Sequence, residues 1–272
     1  MTYVIAEIGS NWFVEENNDH KNIKSVIASV QKAREAGADA AKFQLLSSKE
    51  LYGYHVKDSP IDKYTLKDAI IEAAAVSCKI NNIDFMCSAF STEGYKSIDQ
   101  YVKMHKVASC EAVDLKLIDS VFAFDKRVMV STGGLTESQI NVLLSRYPEG
   151  QLVLADCVID YPAEPDQYNL CVLAEWLEHG LTEVAFSDHT MGYATALAAQ
   201  GLGATIFEKH VNFGTSIHNS PDSDSSITME VFKDYCQVLK THRIRKQLSS
   251  FERANVTKHQ RRELEHGFYR PH

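Results

Sequence analysis

Apolar positions along the chain fall into two alternating kinds of run, short unbroken ones and longer ones at helical spacing. Tyr3, Val4, Ile5, Ala6 and Ile8 form a short run that breaks at the turn-like Gly9-Ser10-Asn11. Ile23, Val26, Ile27, Val30 and Ala33 then recur at helical spacing within residues 21–36, and Gly37 stops them as a C-cap would. The same pair of signals returns along the chain. Strands are predicted over 38–46, 83–88, 104–109, 127–131 and 151–157, with helices at 65–81, from about Ser91, at 114–124, from Thr136 and at 167–179. Val184, Ala185 and Phe186 form a seventh strand that ends in Ser187-Asp-His-Thr190. After a small-residue helix over 193–203, Ala204 to Phe207 form an eighth that ends in Glu208-Lys-His210. Residues 229–241 read as a last helix. The connection over 47–63 holds Tyr52, Tyr54, His55 and Pro60 and is either a substrate loop or a surface excursion.

Eight strand-then-helix units predict an α/β fold, a (β/α)8 TIM barrel over residues 1–242 in a single domain. A doubly wound open sheet is the alternative, but it would usually carry a G-x-G-x-x-G turn, which Gly133-Gly134 does not supply. Residues 243–272 turn basic and polar, as a short C-terminal tail or arm, and are expected to be a solvated end.

At 272 residues the chain can bury a full barrel core. Its net charge of −8 argues against nucleic acid as a partner, while local lysines can still bind small anions. No apolar run approaches a membrane span, so no membrane partner is expected. The six cysteines include no C-x-x-C pair, which reads as reduced thiols and a cytoplasmic setting.

Candidate chemistry gathers at strand ends. A parallel βαβ unit puts the tips of strands seven and eight on one face, so His189 and His210 should lie side by side. Two imidazoles with nearby carboxylates suit Mn²⁺, Zn²⁺ or Fe²⁺. Glu7, Lys42, Gln44, Ser88, Lys106, Ser109, Ser131 and Tyr161 fall at or just beyond the ends of the first six strands, on the face where barrels build active sites. Lysines, serines and helix N-termini there suit phosphate and carboxylate. Glu7, Asp188, Glu208 and Asp222 are available for proton transfer or for holding a polyhydroxylated compound. A phosphorylated anion beside a metal-activated carbonyl points to carbon–carbon bond formation.

At these residues the chain resembles the N-acetylneuraminate (sialic acid) synthase family. The matching stretches are Ile5-Ala-Glu-Ile-Gly-Ser-Asn11, Gly37-Ala-Asp-Ala-Ala-Lys-Phe-Gln44, Lys106-Val-Ala-Ser109, Ser131-Thr-Gly133, Tyr161-Pro162 with Asn169-Leu170, Ser187-Asp-His-Thr190, Glu208-Lys-His210 and Ser220-Pro-Asp222. They stand in family order across about residues 3–230. The resemblance implies condensation of phosphoenolpyruvate with an N-acetylmannosamine-like aldose, giving a nine-carbon 2-keto acid and phosphate. It implies Mn²⁺ (Mg²⁺ or another divalent ion can substitute) on His189 and His210. By match, Glu7, Lys42, Lys106, Tyr161 and Asp222 would be catalytic, and Gln44, Ser88, Ser109, Ser131, Ser187, Asp188, Glu208 and Lys209 would bind substrate.

Three departures fall where the family binds its sugar. Trp12 stands where the family usually has His, followed by the acidic Glu15-Glu16; Ile159 stands where it has Ser or Asn; and the family's C-terminal antifreeze-like domain has no counterpart here. They predict an acceptor aldehyde other than N-acetylmannosamine, and a homo-oligomer or a separate protein supplying the missing sugar-binding domain. Two other readings stay open: a Schiff-base aldolase using Lys42, Lys106 or Lys209, and a degenerate barrel that only binds a ligand or partner.

Overall fold

The computed structural model describes residues 1–45, 47, 61–216 and 220–241. The expected tail, residues 243–272, and most of the 47–63 connection, including Tyr52, Tyr54, His55 and Pro60, lie outside the described residues.

Eight parallel strands close on themselves, β1 (Tyr3–Gly9), β2 (Ala40–Leu45), β3 (Asp84–Ala89), β4 (Met104–Val107), β5 (Arg127–Ser131), β6 (Leu152–Cys157), β7 (Val184–Asp188) and β8 (Ile206–Asn212), with β8 pairing back onto β1. Helices α1 (Asp19–Ala36), α2 (Asp68–Ile80), α3 (Thr92–Ile98), α4 (Leu115–Phe122), α5 (Glu137–Arg146), α6 (Cys171–Glu178), α7 (Ala194–Gly201) and α8 (Met229–Thr241) follow the strands in turn. A two-residue strand, β9 (Ile227–Thr228), extends the edge beside the end of β8. The fold is the (β/α)8 TIM barrel. No described helix is long and apolar enough to cross a membrane.

Alternation along the strands divides the molecule into three environments. Residues facing outward, such as Val4, Ala6, Phe43, Val130 and Phe186, pack under the helices in the larger core. Inward-facing Ile5, Ala40, Met86, Met104, Met129, Val153, Ala155, Ala185 and Ile206 fill the lower barrel with apolar side chains. One step further along, inward positions turn polar: Glu7, Lys42, Ser88, Lys106, Ser131, Ser187 and Glu208, all buried. The interior is thus an apolar plug under a polar floor.

Strand ends differ from the sequence reading at one place that matters. β8 does not stop at Phe207 but runs to Asn212, so Glu208, Lys209 and His210 lie within the strand. Strand geometry survives because the inward positions at the top of a barrel face a cavity and tolerate polar side chains. At the opposite end, Gly37 closes α1 with φ 98°, the left-handed conformation that a C-cap requires, and its N–H returns to Ala33 and Arg34.

Candidate active site

The polar floor and the loops above it enclose a cavity of about 260 Å³ at the C-terminal mouth of the barrel. Lys42, Gln44, Ser88, Lys106, Ser109, Ser131, Tyr161, Ser187, His189, Glu208, His210 and Asp222 all line it.

Its floor is an ion network. Lys42 Nζ lies 2.7 Å from Glu7 Oε2 and 3.5 Å from Glu208 Oε1, and Lys106 Nζ lies 3.7 Å from the same Glu208 oxygen. Burial works against the Lys42 charge, but Glu208 and Glu7 outweigh it and raise its pKa. Burial likewise works against the Glu208 charge, yet Lys106, Lys42 and the two histidines hold its carboxyl well below the usual range. Lys42 therefore carries its charge into a site shielded from water, where it acts most strongly on an anion.

Hydroxyls extend the network. Lys106 Nζ donates to Ser131 Oγ at 2.8 Å, and Ser187 Oγ donates to Glu208 Oε1 at 3.4 Å. Ser88 Oγ and Glu208 Oε2 are buried without a hydrogen-bond partner among the described residues. An orphaned hydroxyl between two cationic strands is the arrangement a ligand oxygen would complete. Glu7 is fully buried beneath the cavity, both its oxygens taken by Lys42 and by Gln44 Nε2 at 2.6 Å, so it supports the floor and does not line it.

The histidine pair stands above. The rings of His189 and His210 are 5.6 Å apart, and Tyr161 lies 4.0 Å from His189 and 5.7 Å from His210. His189 Nδ1 donates to Val158 O at 2.5 Å, which leaves Nε2 as the acceptor nitrogen. Burial and the neighbouring His210 lower its pKa to about 3, so the imidazole stays neutral. Asp222 Oδ1 lies 3.7 Å from His210 Nδ1. Its other oxygen accepts from Ser10 N at 2.7 Å and Ser10 Oγ at 2.5 Å. This approach needs Gly9: with φ 53°, a Cβ there would fall 2.5 Å from Asp222 Oδ2. Among the described residues no group of three or more His, Cys, Asp or Glu gathers as a full metal cage. Two imidazoles fit part of a divalent coordination sphere and leave positions to substrate and solvent.

Two expected substrate residues face the other way. Asp188 and Lys209 lie on the outer side of β7 and β8, both fully buried and paired at 3.0 Å. Each is one step from an inward neighbour, and the strand period of two turns it toward the helices. Lys209 is thereby removed from the candidate Schiff-base lysines. The structure also adds residues that sequence reasoning passed over. Cys157 lines the cavity with Sγ 4.0 Å from His189 Nε2, and its alternation with Val153 and Ala155 was the available signal. Ser10, Tyr64 and Phe90 line it as well. Of the departures, Trp12 is buried away from this cavity, whereas Ile159 is exposed over Gly133, near Ser109, and does not itself line the cavity.

The NeuB family profile matches residues 29–252. The chain belongs to the NeuB family. Relatives of this NeuB-family chain include the N,N'-diacetyllegionaminic acid synthase of Campylobacter jejuni, 28% identical over 256 residues, which span 86% of this chain and 74% of that protein. The pseudaminic acid synthase of Helicobacter pylori is 27% identical over 258 residues, 87% of this chain and 73% of that one. In fold, the chain matches the N-acetylneuraminic acid (sialic acid) synthetase of Leptospira borgpetersenii with a TM-score of 0.81 at 22% identity, covering 97% of this chain and 90% of that one.

Proposed function

We propose that this NeuB-family enzyme condenses phosphoenolpyruvate with an open-chain acetamido aldose and water, giving a nine-carbon 2-keto-3-deoxy acid and inorganic phosphate. The observation that carries this reading is the convergence of Lys42, Lys106 and four serines with the His189–His210 pair on one cavity. The synthase names of the relatives support it.

Lys42 and Lys106 meet the phosphate and carboxylate charges, and Ser88, Ser109, Ser131 and Ser187 supply hydroxyl donors to their oxygens. As the enol carbon attacks the aldehyde, positive charge develops at C2. Water then adds there and the phosphate departs, so negative charge grows where the lysines already stand. His189 and His210 would hold Mn²⁺, with Mg²⁺ or another divalent ion as a substitute, and a bound ion would polarise the aldehyde oxygen as a Lewis acid. Tyr161 and Asp222, beside the histidines, are placed to orient the aldose. Glu7 acts by holding Lys42 and Gln44.

One residue beside the cavity supports a reading of the acceptor. Ile159 offers an apolar surface where the family usually has a hydrogen-bonding side chain, so an aldose with a deoxy or acylamino group there is favoured over N-acetylmannosamine. The test is phosphate release from phosphoenolpyruvate with Mn²⁺ and a panel containing N-acetylmannosamine and its 6-deoxy and diacetamido relatives, with His210→Ala as control. Release that needs one aldose and is lost in the variant is the expected result. Absence of release with every aldose overturns the synthase reading, and N-acetylmannosamine as best acceptor overturns the reading of Ile159.

A further inference from the structure

The ion pair of Asp188 and Lys209 faces away from the cavity, yet both of its side chains reach past each other to the same turn. Both side chains are fully buried between the barrel wall and the helices, and they face each other across paired positions of β7 and β8. Lys209 Nζ also donates to Thr190 O, and to Gly192 O at 3.0 Å. Asp188 Oδ1 accepts from Thr190 N at 2.9 Å and from Thr190 Oγ1 at 2.7 Å. The Tyr235 ring of α8 lies 5.5 Å from Lys209 Nζ and covers the pair from outside.

These bonds converge on the turn that follows β7, and the residue between Asp188 and Thr190 is His189. From its other side, His189 N donates to Tyr168 Oη at 2.9 Å, and Ala163 N donates to His189 O at 3.0 Å. A buried ion pair contributes little net stability compared with apolar packing of the same volume, so stability alone does not account for it. We propose that Asp188 and Lys209 are positioning residues that clamp the 189–192 turn from behind the barrel wall and thereby fix the direction of the His189 ring. The inference rests on the reading of His189 as a metal-holding group for its consequence, though not for its geometry.

The full-length chain tests this with Lys209→Met, the double variant Asp188→Asn with Lys209→Met, and Thr190→Val. The double variant leaves no lone charge in the core, and Thr190→Val removes one hydroxyl only, so at least one of the three remains folded. Two readouts are taken: Mn²⁺ binding by calorimetry, and the imidazole ¹⁵N resonances of His189, assigned against His189→Ala. The expected result is Mn²⁺ affinity lowered about 10–100-fold by loss of Lys209, as for other groups that orient a metal-binding histidine. Phosphoenolpyruvate affinity stays within about twofold, and the His189 signals move in every folded variant, least in Thr190→Val. Unchanged His189 signals overturn the clamp. Wild-type protein that binds no Mn²⁺ while the variants still move the His189 signals overturns the metal reading and leaves the clamp standing.

Discussion

At Ser88, folding and binding make opposite demands. Its hydroxyl is buried without a hydrogen-bond partner among the described residues, an arrangement that lowers the stability of the empty protein. Ser88→Ala is therefore expected to leave urea stability unchanged or slightly raised, while phosphoenolpyruvate binding measured by calorimetry weakens roughly tenfold, the worth of one hydrogen bond to a charged group. Lys42 behaves differently. Lys42→Met removes one partner of a buried network and leaves Glu7 and Glu208 facing an apolar side chain, so a loss of about 3–5 kcal/mol in urea unfolding is expected, together with loss of phosphoenolpyruvate binding. These residues are legible in the sequence because a lysine or serine at the end of an apolar run is conspicuous. Their direction is harder to read. In Ser187-Asp188-His189 and Glu208-Lys209-His210 every residue is polar, and only the register of the apolar residues before them, Ala185 and Ile206 inward, tells which point to the cavity.

Elements are legible where pattern and cap agree. Helix α8 occupies the predicted 229–241, and α1 ends at its glycine as expected. The end of β8 was not legible, because a rule that stops strands at polar residues fails where a strand enters a polar cavity. What holds that end is Asn11, in the turn after β1. Its Nδ2 donates to Val211 O at 3.1 Å and to Ser226 Oγ at 2.8 Å, and its Oδ1 accepts from Ser220 Oγ at 2.5 Å. One side chain thus ties β1, β8 and the segment carrying Asp222. Asn11→Ala removes three buried hydrogen bonds at once, while Ser226 Oγ keeps its bond to Asp222 O, and is expected to cost about 2–3 kcal/mol. Hydrogen exchange should show the loss concentrated at 209–212 and 220–228, and protection unchanged there would exclude Asn11 as the tie.

Over the whole molecule, the apolar lower barrel and the helix-facing core carry the fold, and the polar floor carries the site proposed for the chemistry. The alternation of strand and helix made the barrel legible, since each run needs only its period to be recognised. Asp156 breaks the division and went unnoticed, because one carboxyl inside an apolar strand looks like a strand residue of either face. It points outward from β6 beneath the helices, buried, with Oδ2 unpartnered among the described residues. Burial pushes its carboxyl up to about 7. The folded protein thus keeps a proton that the unfolded chain releases near pH 4. The resulting stability is fully present below about pH 4, declines by about 1.4 kcal/mol per pH unit as pH rises toward 7, and is gone above it. Asp156→Asn lacks this titration. Urea unfolding at steps from pH 4.5 to 8 should show the variant gaining on the wild type until about pH 7 and running parallel beyond, by a few kcal/mol in all. Curves that stay parallel across the whole range would mean that the Asp156 carboxyl ionises in the folded barrel as it does in the open chain.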